Sequence, residues 1–173
     1  TWARVYGSEG YDQAYSVRQT RDGGYIIAGS AFFGGDAWVI KLSSEGKIVW
    51  QRAYGGGYGD WASSIWQTAD GGYIVAGTTV SFSDGDDDIW ILKLSSSGDI
   101  EWQRTYGGYD HDFAESIQQT SDGGYILAGG TRSFGAGIYD FLVLKLSAAG
   151  DIEWQKTYGE TGSESAYSIQ QTG

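Results

Sequence analysis

Apolar residues along the chain fall into short runs that are separated by glycine-rich polar turns. Within one representative stretch, this pattern predicts four strands, at residues 62–68, 73–79, 88–94 and 100–106. The second and third of these runs are apolar or small almost throughout, which is typical of strands covered on both faces. The pattern therefore predicts an all-β chain made of short strands.

The turns between these runs have the residues that tight connections require. Asp70-Gly71 separates the first two runs and is a strong signal for a β-hairpin. Gly98 lies in the turn before the fourth run, where a residue with positive φ is expected. Adjacent runs are thus predicted to pair as antiparallel strands.

The same pattern recurs along the chain. Gln-Thr-x-Asp-Gly-Gly-Tyr-Ile and Lys-Leu-Ser-x-x-Gly-x-Ile-x-Trp-Gln each occur three times. The tryptophans that mark the repeat are Trp2, Trp50, Trp102 and Trp154, spaced 48, 52 and 52 residues apart. Such a period is typical of repeat architectures in which each unit is one supersecondary structure.

A four-stranded unit whose two faces are both apolar needs a neighbour on each side. Blades arranged radially about an axis meet this need, so we predict β-propeller blades of four antiparallel strands. The predicted blades are centred on residues 14–54, 62–106 and 114–158, with a stray outer strand at 2–6 and a stray inner strand at 166–172. Three blades are too few for an ordinary closed propeller. We therefore expect a fragment of a larger propeller or one subunit of an assembled one, either as a homo-oligomer or with further blades of the same parent chain.

The stretch at residues 94–102, Leu-Ser-Ser-Ser-Gly-Asp-Ile-Glu-Trp, is similar to the tryptophan-docking motif of quinoprotein propellers, and it recurs at 42–50 and 146–154. The units thus resemble the WD-repeat-like and quinoprotein-like propeller superfamily, of the kind found in secreted or surface proteins of bacteria and archaea. This resemblance implies that the glycine turn and the tryptophan four residues after it lock adjacent blades together. It implies the fold much more strongly than any function.

Charge and composition restrict the classes of partner. The formal net charge is −11 and the sequence pI is about 4.3, which argues against unaided binding to nucleic acid or to an anionic membrane. No hydrophobic run is long enough to span a bilayer, so no membrane insertion is expected. Cysteine is absent, which excludes disulfides and thiolate metal sites.

An acidic loop is the candidate metal site. Asp84, Asp86 and Asp88 have the alternating spacing of a calcium loop, and carboxylate oxygens suit that ion. However, Ile89 stands where such a loop needs glycine, and Ser95 stands where it needs a bidentate glutamate. The sequence therefore favours a solvated acidic loop, and calcium is the one cofactor left open.

Two further sets of acids recur in every unit. Asp36, Asp88 and Asp140 open the third strands, where a structural turn or capping role is expected. A second set precedes the first strands and consists of Asp12, Asp60, Asp112 and Glu164. We expect this set to brace loops by accepting backbone N–H bonds, and a ring of acids near an axial channel is the alternative. The single histidine, His111, is expected to be an exposed loop residue because no nucleophile or second histidine accompanies it.

Some positions vary while their surroundings repeat, and recognition is usually located at such positions. All of them lie at or just before the predicted first strands. The candidate ligand-binding residues are Gln13, Tyr15, Arg18, Trp61, Trp66, Phe113 and Glu115. Their aromatic rings suit stacking on sugars or anchoring of a partner protein, and the alternative is that they fill different gaps between blades.

We expect a non-catalytic recognition or scaffold module that binds a protein or carbohydrate partner across one propeller face, at an extracellular or cell-surface location. One alternative is a quinoprotein-like oxidoreductase that uses pyrroloquinoline quinone and calcium. Another is a purely structural repeat of a surface layer or fibre.

Overall fold

The computed structural model describes residues 3–7, 10–31 and 35–172. Within these ranges the chain forms twelve β-strands and no helix, so no helix of the described residues is long and apolar enough to cross a membrane. The strands are β1 (Gln13–Gln19), β2 (Tyr25–Ser30), β3 (Ala37–Leu42), β4 (Ile48–Tyr54), β5 (Asp60–Gln67), β6 (Tyr73–Thr79), β7 (Asp88–Leu94), β8 (Ile100–Tyr106), β9 (Asp112–Gln119), β10 (Tyr125–Thr131), β11 (Asp140–Leu146) and β12 (Ile152–Tyr158).

The strands form three separate four-stranded antiparallel sheets, and each sheet is a meander of consecutive strands. We call them the first sheet (β1–β4), the second sheet (β5–β8) and the third sheet (β9–β12). The all-β prediction is confirmed, and the predicted second, third and fourth strands of the second sheet match β6, β7 and β8. Its first strand begins at Asp60, two residues before the predicted start.

The stray terminal strands predicted from the sequence are corrected by the structure. Trp2 lies outside the described residues, and residues 3–7 and 164–172 form no strand. The physical reason is that a strand needs a hydrogen-bonded neighbour, and within the described chain neither segment has a sheet of its own to join. Both segments nevertheless contact the sheets beside them: Tyr6 Oη donates to the Gly46 carbonyl (2.6 Å), and Ile169 N donates to Ser116 Oγ (3.4 Å).

Two hydrophobic cores lie between the sheets. The first core joins residues of the first and second sheets, and the second core joins residues of the second and third sheets. The second sheet is therefore covered on both faces, and this explains why β6 and β7 are buried along their whole length. By contrast, Val17 of β1 is 62% exposed, whereas the equivalent Ile65 of β5 is fully buried.

Contacts between neighbouring sheets repeat from one pair to the next. Tyr54 Oη donates to the Gly98 carbonyl (2.6 Å), and Tyr106 Oη donates to the Gly150 carbonyl (2.5 Å). Trp50 of β4 lies edge-on to Tyr73 of the second sheet, with ring centroids 5.9 Å apart. Each such contact runs from one sheet to the sheet that follows it in the sequence.

Glutamines connect the turns of successive sheets in the same way. Gln67 Oε1 accepts a hydrogen bond from Arg21 N (2.9 Å), and Gln119 Oε1 accepts one from Ala69 N (2.7 Å). The recurring tryptophans Trp50 and Trp102 pack against the cores, as the resemblance implied. Trp154 differs, because it is 41% exposed.

Each first strand contains a β-bulge at the same repeat position. The register against the second strand skips Tyr15 in β1, Ser63 in β5 and Glu115 in β9. A bulge leaves one residue outside the ladder and redirects its side chain. The variable position predicted from the sequence is therefore also the position at which the backbone is irregular.

Candidate functional site

The predicted ligand-binding residues divide between two clefts and the sheet surface. Gln13, Tyr15 and Trp61 line a cleft between the first and second sheets, near the starts of β1 and β5. The cleft has a volume of about 370 Å³, which lies in the range of small-ligand sites. Tyr11 also lines it and was not predicted from the sequence. We call this site the aromatic cleft.

The aromatic cleft combines exposed rings with a polar group. Tyr11 and Tyr15 are exposed and Trp61 is half-buried, so ring surface is available to a ligand. The Tyr15 hydroxyl donates a hydrogen bond to Gln13 Oε1, which orients both side chains. The bulge at Tyr15 turns this ring out of the β1–β2 ladder.

Arg18 and Trp66 lie near the C-terminal ends of β1 and β5, away from the aromatic cleft at the starts of these strands. The Arg18 guanidinium carbon is 4.8 Å from the centroid of the Trp66 ring, in cation–π contact. Together with Gln19, Arg21 and Gln67 they line a second cleft of about 210 Å³. Because Trp66 also packs against the second core, much of this ring serves the fold.

Phe113 and Glu115 line neither cleft. Phe113 makes an edge-to-face contact with Tyr139, with ring centroids 5.6 Å apart, and leaves no room for a side chain at Gly130. Glu115 is half-buried, and burial raises the pKa of its carboxyl group. For Phe113, the gap-filling interpretation agrees with the structure.

The acids of the predicted calcium loop point to different neighbours. Asp84 and Asp86 are exposed, whereas Asp88 is buried and its Oδ2 accepts a hydrogen bond from Asp84 N (3.3 Å). Asp86 instead lies near His111, with 3.8 Å between Asp86 Oδ2 and His111 Nε2. The structure therefore does not gather the three predicted ligands around one point of the loop.

Asp86, Asp110 and His111 form an acidic cluster in which one potential metal-ligating atom of each residue lies within 4.8 Å of the others. His111 Nδ1 is also in contact with the Asp87 carboxylate. The hydrogen bond to Asp87 and the nearby acids raise the pKa of His111 despite partial burial. The histidine is only partly exposed, and its main partner is Asp87.

Two of the recurring acids before the first strands, Asp60 and Asp112, act as braces. Asp60 Oδ2 accepts from Gly56 N (2.9 Å), and Asp112 Oδ2 accepts from Gly108 N (2.9 Å). This part of the prediction is confirmed. Asp60 also accepts a hydrogen bond from Ser81 Oγ (2.6 Å).

Two of the acids that open the third strands, Asp88 and Asp140, have the expected turn role. Asp140 Oδ2 accepts from Ala136 N (2.9 Å) and Gly137 N (3.0 Å). The sequence did not reveal that these acids face the bracing acids of the next sheet. The recurring glycine after each fourth strand, at Gly55, Gly107 and Gly159, was the available signal.

Buried lysines are the other group that sequence reasoning missed. Lys93 Nζ lies 2.9 Å from Asp70 Oδ2 and 2.8 Å from Glu101 Oε2. Lys145 has the equivalent partners Asp122 and Glu153. Their recurrence in the Lys-Leu-Ser phrase, inside an otherwise apolar strand, was a usable signal. These ion pairs are structural, since each lies within one sheet.

A comparison with protein-family models finds no match, and a comparison with curated proteins finds none either. The site itself must therefore provide any argument about function.

Proposed function

We propose that the three sheets are blades of a propeller and that the chain is a non-catalytic recognition or scaffold module. The aromatic cleft is the proposed binding site, and a glycan is the partner that suits it best. The observation that carries this proposal is that Tyr15 and Trp61 line one cleft and that their repeat positions vary along the chain.

The chemistry of the cleft supports a sugar ligand. Aromatic faces stack on the apolar faces of sugar rings, and amide groups bond to their hydroxyls. Tyr11, Tyr15 and Trp61 provide the faces, and Gln13 provides the amide. A protein ligand would use the same rings as anchors, so it is the alternative occupant of this site.

The proposed radial arrangement is supported by the contacts between sheets. Strand β5 contacts β1 on one side and β9 on the other, so the first strands of the sheets are neighbours. The fourth strands have no such mutual contact among the stronger element contacts of the described chain. Sheets whose first strands lie close together while their fourth strands lie apart are typical of propeller blades.

A glycan array followed by calorimetric titration of any hit tests the proposed function. We expect Tyr15→Ala and Trp61→Ala to weaken binding by about tenfold or more, because each removes a stacking face. Tyr109→Ala is the matched control, since Tyr109 is an exposed tyrosine that does not line the cleft. Circular dichroism checks that the variants are folded.

The results separate the possible ligands. Loss of glycan binding in Tyr15→Ala but not in Tyr109→Ala supports the proposal. Binding to a protein alone, lost in the same variant, keeps the recognition role and replaces the ligand. Equal effects of Tyr15→Ala and Tyr109→Ala, or no binding partner at millimolar sugar and micromolar protein, would overturn it.

A structural array is the second candidate function, because the third sheet leaves a contact surface open. Trp154 and Tyr158 of β12 are 41% and 48% exposed, whereas their equivalents contact the next sheet. Such a surface suits a further unit of the same kind. The quinoprotein-like oxidoreductase stays a hypothesis, which addition of the quinone with calcium would test through absorbance and turnover.

A further inference from the structure

Two carboxylates meet where the second sheet packs against the third. Asp88 opens β7 and Asp112 opens β9, and they are 5% and 0% exposed. A Cβ atom at Gly107 would overlap Asp88 Oδ1 and lie 2.8 Å from Asp112 Oδ2. The two side chains therefore approach the same backbone atom from different sheets, and only glycine leaves room for them.

One oxygen of each carboxylate is occupied and the other is free. Asp88 Oδ2 accepts from Asp84 N, and Asp112 Oδ2 accepts from Gly108 N. Asp88 Oδ1 and Asp112 Oδ1 are both buried and have no hydrogen-bond partner. Leaving a buried carboxylate oxygen unpaired is costly, so these two oxygens call for a hydrogen-bond donor or a cation that the described residues do not supply.

No basic side chain supplies that partner. Within the described ranges, no lysine, arginine or histidine lies within salt-bridge distance of Asp88 or Asp112. Burial, with added repulsion from Asp112, Asp84 and Asp87, raises the pKa of Asp88 although the Asp84 backbone bond opposes this. Two carboxyl groups thus face each other in a buried place, and no basic side chain of the described residues accompanies them.

Asp88 also lines an open cleft with Asp84, Thr105, Gly107, Gly108 and Tyr109. The cleft has a volume of about 450 Å³ and gives an ion and its waters a path to Asp88. Calcium takes six to eight oxygen ligands in flexible geometry and tolerates water among them. Magnesium suits this place less well, because it holds its own waters more tightly.

We propose that Asp88 and Asp112 bind one divalent cation of calcium type between the second and third sheets, with Asp84 at the mouth of the cleft. We call this the junction site. It uses Asp84 and Asp88 of the acidic loop but replaces the third expected ligand, Asp86, with an acid from the next sheet. The cation would fasten two sheets to each other rather than order one loop.

The other junctions have weaker versions of the same arrangement. Asp36 faces Asp60 across Gly55, but Asp60 is already bonded to Ser81 and Gly56. At the last junction a glutamate, Glu164, takes the place of the aspartate, and it is only half-buried. The middle junction is thus the one with two deeply buried acids and two free oxygens.

Terbium luminescence tests this proposal on the whole chain, because Tyr109 lines the cleft and can sensitise a bound lanthanide. We expect saturable emission that calcium displaces, and a rise in melting temperature on adding calcium. Asp88→Asn should weaken terbium and calcium binding by about tenfold or more and remove the calcium effect on melting.

Two exposed aspartates of the same loop provide a matched pair. Asp84→Asn is expected to weaken binding by about threefold or more because it removes a ligand at the mouth, whereas Asp86→Asn should leave it unchanged. Since both residues are exposed, both variants are expected to fold even if Asp88→Asn does not.

The possible outcomes either support or overturn the junction site. Loss of terbium and calcium binding in Asp88→Asn and weaker binding in Asp84→Asn, with unchanged binding in Asp86→Asn, supports it. Loss of this binding in Asp86→Asn alone would assign the ion to the cluster of Asp86, Asp110 and His111 and overturn the proposal. Absence of saturable terbium emission, with Asp88→Asn melting higher than the parent chain, would show a shared proton instead.

Discussion

Gly71 and Gly98 both have left-handed backbone conformation, with φ of +88° and +83°. Their surroundings differ. A Cβ atom at Gly71 would meet nothing within 4 Å, whereas one at Gly98 would lie 3.0 Å from the Trp50 ring and 3.1 Å from Arg52 Nε. Gly71 therefore serves only its own turn, while Gly98 also receives the tryptophan of the preceding sheet.

Alanine at these two positions separates the two roles. We expect Gly71→Ala to lower the free energy of unfolding by about 1 kcal/mol, the cost of a left-handed L-residue. Gly98→Ala should lower it by about 2–3 kcal/mol, because Trp50 and Arg52 must also move. Urea denaturation measures both values, and equal losses would contradict the docking role of Gly98.

At the scale of elements, a second set of bulges explains how a lysine is held inside each sheet. The register between third and fourth strands skips Glu101 in β8 and Glu153 in β12, and each reaches the buried lysine of its own sheet. In the first sheet the skipped residue is Val49. Lys41 therefore has Asp22 as its only carboxylate partner within the described chain.

This difference predicts unequal costs of the same substitution. We expect Asp22→Asn to lower the free energy of unfolding by about 2 kcal/mol at neutral pH, because it leaves a buried lysine without a carboxylate, although water screens the exposed Asp22. Asp70→Asn should cost about 1 kcal/mol, because Asp70 is as exposed as Asp22 but Lys93 keeps its ion pair with Glu101. Chemical denaturation of both variants measures the difference, and a larger loss in Asp70→Asn would contradict it.

The same pairs fix the direction of the acid response. Hydrogen bonds from Thr20, Lys41 and Gly24 lower the pKa of Asp22 to about 2 from its ordinary value of 3.8. The folded chain thus binds fewer protons, so this contribution is present above about pH 4 and is lost as the pH falls towards 2. The difference in free energy of unfolding between the parent chain and Asp22→Asn should therefore decrease as the pH falls from about 4 to about 2.

At the scale of the whole molecule, the second sheet is the only described sheet with a sheet-sized neighbour on both sides. The first sheet leaves Val17 exposed, and the third leaves Trp154 and Tyr158 exposed. These surfaces are the two complementary halves of a contact that is made twice inside the chain. Unpaired halves of this kind favour association between copies.

We therefore expect the isolated chain to associate as its concentration rises, measured by size-exclusion chromatography with light scattering. Tyr158→Phe should weaken this association without changing stability, because its hydroxyl has no acceptor in the described chain. Tyr54→Phe is the matched variant: it should cost about 1 kcal/mol of stability by leaving the Gly98 carbonyl unpaired. A chain that stays monomeric at all concentrations would contradict the array function.

The strands and their order could be predicted because both depend on local signals. Continuous apolar runs marked β6 and β7, and Asp70-Gly71 marked the turn before β6. The terminal strands were wrong because pairing depends on a neighbour that no local pattern reports. The aromatic cleft was predicted in part, since Tyr15 and Trp61 vary within the repeat.

The remaining site contacts join residues of different sheets. Asp88 and Asp112 were each recognised as recurring acids, but the sequence does not say that they meet across Gly107. Tyr11 was missed although it directly precedes the recurring acid Asp12 and varies within the repeat, where Gly59 and His111 are its equivalents. Such contacts follow from how the sheets stack, which composition and periodicity leave undetermined.

In each of the glutamine and tyrosine hydrogen bonds described above, the donor belongs to one sheet and the acceptor belongs to the sheet that follows it in the sequence. A head-to-tail interface of this kind does not by itself fix the number of units in the array. Inserting or deleting one entire 52-residue unit would therefore bring together surfaces that already fit. The architecture can change its size by gene duplication or loss without any new complementarity having to evolve.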